Sequence, residues 1–223
     1  MKETKKLLIV ANLIAIAIAI DVITSMFNLR MPFGGNFIGI SMLPLILIGL
    51  FFGLKYGLIS GFIYALYNFT SDYIIYIDAL RLTLESWTGI TWTFWHILGL
   101  VFLDYIIPFM AFGLSGLFAD GFKSKAKFVY AALTVSAIRL FSSTFAGTLL
   151  WGSSIKYAAS SNDEDARFAV SIFKFVDNNL FLYSLLYNLT YILTSTALVI
   201  LIGLAIHKRM SDITEQFIGK VSQ

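Results

Sequence analysis

FWHILGLVFLDYIIPFMAFGLSGLF, residues 94–118, carries a single formal charge, Asp104, in twenty-five residues. A run this long and apolar reaches across a ~30 Å hydrocarbon core as a helix. Five more apolar runs flank it, at about 7–27, 37–54, 56–77, 128–152 and 179–206. The second and third are joined only by the tight turn Gly53-Leu54-Lys55-Tyr56-Gly57. Backbone polar groups in lipid must be satisfied within the protein, so helices or a closed barrel are the choices. No run shows the ~10-residue apolar/polar alternation of a membrane barrel. The pattern predicts an all-α integral membrane protein, one domain over 1–223, built as a six-transmembrane-helix bundle. Composition agrees: 58% of the 223 residues are hydrophobic and only 13% charged, against about 45–50% apolar in soluble domains. The long first run lacks a clear small-x-small site at its end, so it reads as a retained span and not as a cleaved leader.

Lys and Arg set the orientation. Ten of the sixteen lie at one set of span ends, including Lys5, Lys6, Lys55, Lys123, Lys125, Lys127, Lys208 and Arg209. Five lie at the other, namely Arg30, Arg81, Lys156, Arg167 and Lys174, while Arg139 falls inside a span. The richer side is expected to be cytoplasmic. Both termini fall there, which requires an even number of spans. Grouped this way, the net charge of +3 is a topology signal and gives no reason to expect a nucleic-acid partner.

Charges inside the spans are costly unless paired or hydrated. Asp21 and Asp72 lie near the outer ends of spans one and three, where the interface is within reach. Asp104 and Arg139 lie near mid-depth. Two readings stay open for them: an Asp104–Arg139 ion pair holding the bundle together, or an acid facing a cationic ligand in an outward cavity with Arg139 nearby. Trp151, Tyr183 and Tyr187 cluster at outer span ends and read as interfacial anchors or as cavity walls. Asn188 needs a hydrogen-bond partner in lipid. An acid, aromatic faces and an amide together suit a flat, cationic heteroaromatic ligand. Ala11, Ala15 and Ala19 share one face of span one and permit close approach, either within the bundle or to a partner membrane protein.

The outer connections are long. Residues 78–93 read as an interfacial segment anchored by Trp87 and Trp92. Residues 153–178 read as a polar loop to about Arg167 followed by an amphipathic helix, and the alternative is a lid over the pocket. Enzyme chemistry is absent. There is no Walker A pattern, no HExxH, no GxSxG and no cysteine, so no catalytic residue is expected. His96 and His207 are too far apart for a zinc motif, and neither a metal nor a cofactor is expected. A lone interfacial histidine such as His96 reads first as structural.

Several stretches together resemble one family. Arg30-Met31-Pro32-Phe33-Gly34-Gly35-Asn36, then Met42-Leu43-Pro44 and Gly53, Gly57 and Gly61, resemble the start of the thiamine-specific S-component family of energy-coupling factor (ECF) transporters. Phe102-Leu103-Asp104-Tyr105 with Ala111-Phe112-Gly113-Leu114-Ser115-Gly116 resembles its fourth helix, and Tyr183-Ser184-Leu185-Leu186-Tyr187-Asn188 its last. The resemblance implies a substrate-binding subunit of a multi-pass, bacterial cell-membrane importer with no ATPase activity of its own. It implies association with a transmembrane coupling subunit and two ABC-type ATPases, with Ala11, Ala15 and Ala19 at the coupling contact. It assigns thiamine binding to Asp104, Tyr105, Trp151, Tyr183 and Asn188, with Arg139 at the family's basic position on helix five. Ser143 stands where the family commonly has a ligand-contacting histidine, and Asp104 where some members have Glu. Rival readings are the same machinery for riboflavin or the precursor hydroxymethylpyrimidine, and a proton-coupled carrier using Asp104 and Arg139 as a relay.

Overall fold

The computed structural model describes residues 3–27, 31, 38–73, 80–161 and 164–217, all helix, turn or irregular. The Arg30–Asn36 stretch apart from Met31, and the outer end of span three at 74–77, lie outside the described residues. Within the described residues nine helical elements run in order: α1 Glu3–Ser25, α2 Met42–Phe52, α3 Leu54–Tyr73, α4 Leu80–Thr88, α5 Phe94–Phe118, α6 Lys125–Leu149, α7 Gly152–Ser161, α8 Arg167–Phe175 and α9 Leu180–Phe217. Four of these are long and apolar enough to cross a membrane: α1, α5, α6 and the Leu180–Asp212 part of α9.

The described part of span two is short. Helix α2 has 11 residues, about 16 Å of rise, which is half a hydrocarbon core. Met42 to Leu50 are all buried, so this helix is apolar all round because protein surrounds it. Helix α3 carries Asn68, Thr70, Ser71 and Asp72 in its last turns and is not among those four. Close packing joins both to the second half of α5. A Cβ on Gly113 would lie 2.3 Å from the Gly57 carbonyl carbon and the Leu58 nitrogen, so only glycine lets these backbones meet. Ser115 Oγ donates to Ile46 O at 2.9 Å.

Helix α5 is not uniform. In an α-helix the N–H of residue 108 would bond the Asp104 carbonyl, but Pro108 has no N–H and its ring crowds that carbonyl. The chain widens before it: Val101–Ile106 is a π-helical turn, with Ile107 N–H reaching back to Phe102 O. Leu103 O is then left to Ser142 Oγ of α6, which donates to it at 2.6 Å. After a short α turn at Ile107–Met110 the helix tightens to 3-10 geometry over Ala111–Phe118. Helices α6 and α9 are joined by hydroxyls and amides: Ser136 with Thr196 at 2.5 Å, and Ser184 Oγ to Thr144 O at 2.8 Å. Gly147 admits Ser184, whose Oγ would sit 2.2 Å from a Cβ there.

Three clusters divide the core. The largest, around Met42–Leu50, Phe112, Phe122 and Phe128, fills the end of the bundle where α1 begins and α6 starts. The other two lie at the opposite end, one around Tyr183, Tyr187 and Tyr191, the other around Trp92, Tyr105 and Leu150. Helix α1 buries Val10, Ile14 and Ala17. It is also tied to α3 by Tyr56 to Glu3 and Tyr64 to Asp21.

Sequence expectation and structure differ at three places. Trp92 is fully buried, not an interfacial anchor, because its ring packs on Trp151 and its Nε1 donates to Thr88 Oγ1 at 2.8 Å. Residues 153–161, read as polar loop, lie in α7, which buries Ser154, Ile155 and Ala158 and exposes Lys156, Ser160 and Ser161. The Asp104–Arg139 ion pair does not form among the described residues. Arg139 Nη1 donates to Met42 Sδ at 3.5 Å and the guanidinium lies 5.0 Å from the Phe112 ring centre.

The glycine contact gives a direct test. Gly113→Ala is expected to force α3 and α5 apart and to destabilise the protein by roughly 1–3 kcal/mol, seen as a lower melting temperature in detergent.

Candidate functional site

Asp104 sits on the π-helical turn of α5, half-buried. The turn's extra residue rotates the rest of the helix relative to an ordinary α-helix, and such turns often occur at functional positions. Trp151, just beyond α6, donates Nε1–H to Asp104 Oδ2 at 2.7 Å. Among the described residues no Lys, Arg or His nitrogen lies within 4 Å of that carboxylate. Its attachment is therefore a neutral aromatic donor, not a built-in cation.

The wall around this acid is aromatic. Trp92 and Trp151 have ring centres 5.7 Å apart, inclined at 52°. Tyr105 packs edge-on to Phe69 at 5.2 Å and Tyr73 at 5.8 Å, and its hydroxyl donates to Asp72 Oδ2 at 2.8 Å. His96 closes the N-terminus of α5: its Nδ1 accepts from Thr93 N–H at 3.1 Å, and its ring stacks on Trp92 at 5.7 Å.

A second wall comes from α9. Tyr183, Tyr187 and Tyr191 recur every four residues and form a ladder, with ring centres 5.6 and 6.5 Å apart. Phe173 of α8 packs edge-on to Tyr183 at 5.5 Å. Asn188 lies beside the ladder and binds α6 to α9. Its Nδ2 donates to Ser184 O at 2.7 Å and Ser143 O at 3.2 Å, and its Oδ1 accepts from the Tyr191 hydroxyl at 2.7 Å.

The residues named from sequence therefore fall into three groups. Asp104, Trp151 and Tyr105 belong to one wall. Tyr183, Asn188 and Ser143 belong to the other. Arg139 lies deeper, over Phe112, with Tyr64, Tyr191 and Asp21 as its electrostatic neighbours. Sequence reasoning missed Trp92, Tyr73 and Tyr191 as wall residues. For Tyr191 the four-residue spacing from Tyr183 and Tyr187 was a legible signal. No group of three or more His, Asp or Glu suited to a metal occurs among the described residues. Ala11, Ala15 and Ala19 are exposed, on the face of α1 opposite its buried residues.

These features describe a multi-pass helical membrane protein with an acid in a membrane-length helix held by an indole N–H. The family profile described as Thiamine transporter protein (Thia_YuaJ) matches residues 8–162. Thiamine transporter ThiT of Bacillus subtilis (strain 168) is 30% identical over 198 residues, covering 87% of this chain and 85% of that protein. The chain belongs to the thiamine transporter protein family, and it is a transporter and not an enzyme.

Outside the spans, Glu85 of α4 holds the Trp92 segment in place. It accepts from Arg81 Nε at 2.9 Å and from Trp92 N–H at 2.8 Å. The Arg81 bond, then the Trp92 bond, hold its carboxyl below the ordinary value of 4.5. A depressed native value means the contribution is complete above the ordinary value and is lost as pH falls through the native one. Acid titration below pH 4.5 is expected to loosen Trp92, read as a shift in tryptophan emission. Glu85→Gln should flatten that transition.

Proposed function

We propose that this chain is the thiamine-binding S-component of an ECF-type importer, and that the Asp104–Trp151 pair receives the ligand's cationic ring. The observation that carries this reading is the carboxylate itself: it is held by an indole N–H at 2.7 Å with no protein cation beside it among the described residues. A thiazolium ring supplies the missing positive charge, and Trp151 offers it a π face. Tyr183 stacks from the second wall, and Asn188 meets the pyrimidine. Tyr105, Ser143 and Arg139 set the shape and polarity around them. Membership of the thiamine transporter family supports the choice of thiamine over riboflavin or hydroxymethylpyrimidine.

In this reading the chain is one membrane domain with six spans, formed by α1, α2, α3, α5, α6 and α9, and both termini are cytoplasmic. The excess of Lys and Arg around Lys5, Lys55, Lys123 to Lys127 and Lys208 supports that orientation. The chain holds no ATPase motif, so transport is driven by partners: a transmembrane coupling subunit and two ABC-type ATPases. The outward-facing Ala11, Ala15 and Ala19 support α1 as the docking helix, because small residues let two helix backbones approach closely.

Two outcomes test these assignments. By isothermal titration, the purified chain is expected to bind thiamine, and Asp104→Asn to lose about 10- to 100-fold in affinity through the missing charge. Unchanged binding in that variant, or preference for riboflavin in a ligand panel, contradicts the reading. Ala15→Trp is expected to leave thiamine affinity within about twofold while preventing co-purification with the coupling subunit. Loss of ligand binding with intact association would refute the docking role.

A further inference from the structure

The polarity of Asn188 can be fixed by hydrogen-bond bookkeeping. A side-chain amide has two N–H donors and an oxygen with two lone pairs. The carbonyls of Ser184 and Ser143 lie 2.7 and 3.2 Å from Nδ2. Carbonyl oxygens only accept, so the amide nitrogen must face them, and both N–H groups are consumed. Oδ1 then faces the Tyr191 hydroxyl at 2.7 Å, which must donate. The result is a bond of one direction, from Tyr191 to Asn188. Together these bonds leave Oδ1 with one unused lone pair, and Asn188 with nothing to donate.

We infer that Tyr191 is a specificity-determining positioning residue: through its hydroxyl it holds Asn188 as an acceptor only, so the site selects a heterocycle bearing an exocyclic amine and rejects one bearing a carbonyl at the same place. An amine donates into the free lone pair of Oδ1. A carbonyl puts oxygen against oxygen, with no N–H available to turn toward it. Buried polar groups left unpaired make such discrimination strong, far stronger than the loss of a methylene contact. Without the Tyr191 hydroxyl the amide is anchored from its nitrogen side alone, and the oxygen loses its fixed direction.

This inference rests on the thiamine reading, and its test separates the two. Thiamine and its 4-oxo analogue, which differ at the one exocyclic group, are titrated into the full-length chain in detergent. The wild type is expected to prefer thiamine by about 10- to 100-fold. Tyr191→Phe keeps the aromatic ladder and is expected to shrink that ratio to about threefold, chiefly by weakening thiamine. Tyr191→Leu removes ring and hydroxyl together and is expected to give the same ratio as Tyr191→Phe, which a purely steric role for Tyr191 would not do. A wild-type protein that binds both compounds equally overturns the inference and leaves the thiamine reading standing. So does a ratio unmoved in both variants. Failure of thiamine itself to bind overturns the parent reading and the inference with it.

Discussion

Ser142 Oγ and the Leu103 carbonyl, 2.6 Å apart, hold the widened turn of α5 against α6. That turn exists because Pro108 cannot continue the hydrogen-bond ladder and crowds the carbonyl four residues before it. Opening a helix in a membrane leaves backbone groups with no water to bind, so a neighbouring side chain must take them. Ser142 does so, and Asp104, one residue after the rescued carbonyl, is thereby placed within reach of Trp151. The position of the acid is thus a consequence of helix chemistry two turns long, and Trp151, with Trp92 packed on it, lies beside it.

The rest of the bundle divides labour between its two ends. At the end where α1 begins, glycine, serine and alanine allow α2 and α3 to lie against α5 at backbone distance, and the core there is dense and aliphatic. At the other end the packing is aromatic, with hydroxyls, an amide and two carboxylates bonded across helices. Aromatic rings bring area with few rotatable bonds, so they can wall a site without collapsing into it. Arg139 sits between the two ends, against Phe112 and Met42. Its distance from any ion-pair partner among the described residues removes the simplest basis for a proton relay between it and Asp104.

Hydropathy alone locates α1, α5, α6 and α9, because a long apolar run has few structural alternatives in a chain with so little charge. It cannot show that α2 is buried on every side and only eleven residues long, since lipid and protein core demand the same residues. Pro108 is visible in the sequence, but which neighbouring turn widens depends on a serine 34 positions downstream. The Gly152–Ser161 helix is hidden by its serines, of which Ser154, Ser160 and Ser161 donate to carbonyls once the helix has formed. At the site, Asp104, Trp151 and Asn188 stand out because polar groups in apolar runs need a reason. Trp92 does not, because nothing local distinguishes a buried tryptophan from an interfacial one.

In the proposed complex a cationic ring lies against Trp151 while Asp104 balances its charge. Tryptophan fluorescence during thiamine titration reads that contact. Saturable quenching is expected, lost in Trp151→Phe and retained in Trp95→Phe, whose indole is exposed at the start of α5. Quenching of equal amplitude and midpoint in the Trp151→Phe protein would contradict it.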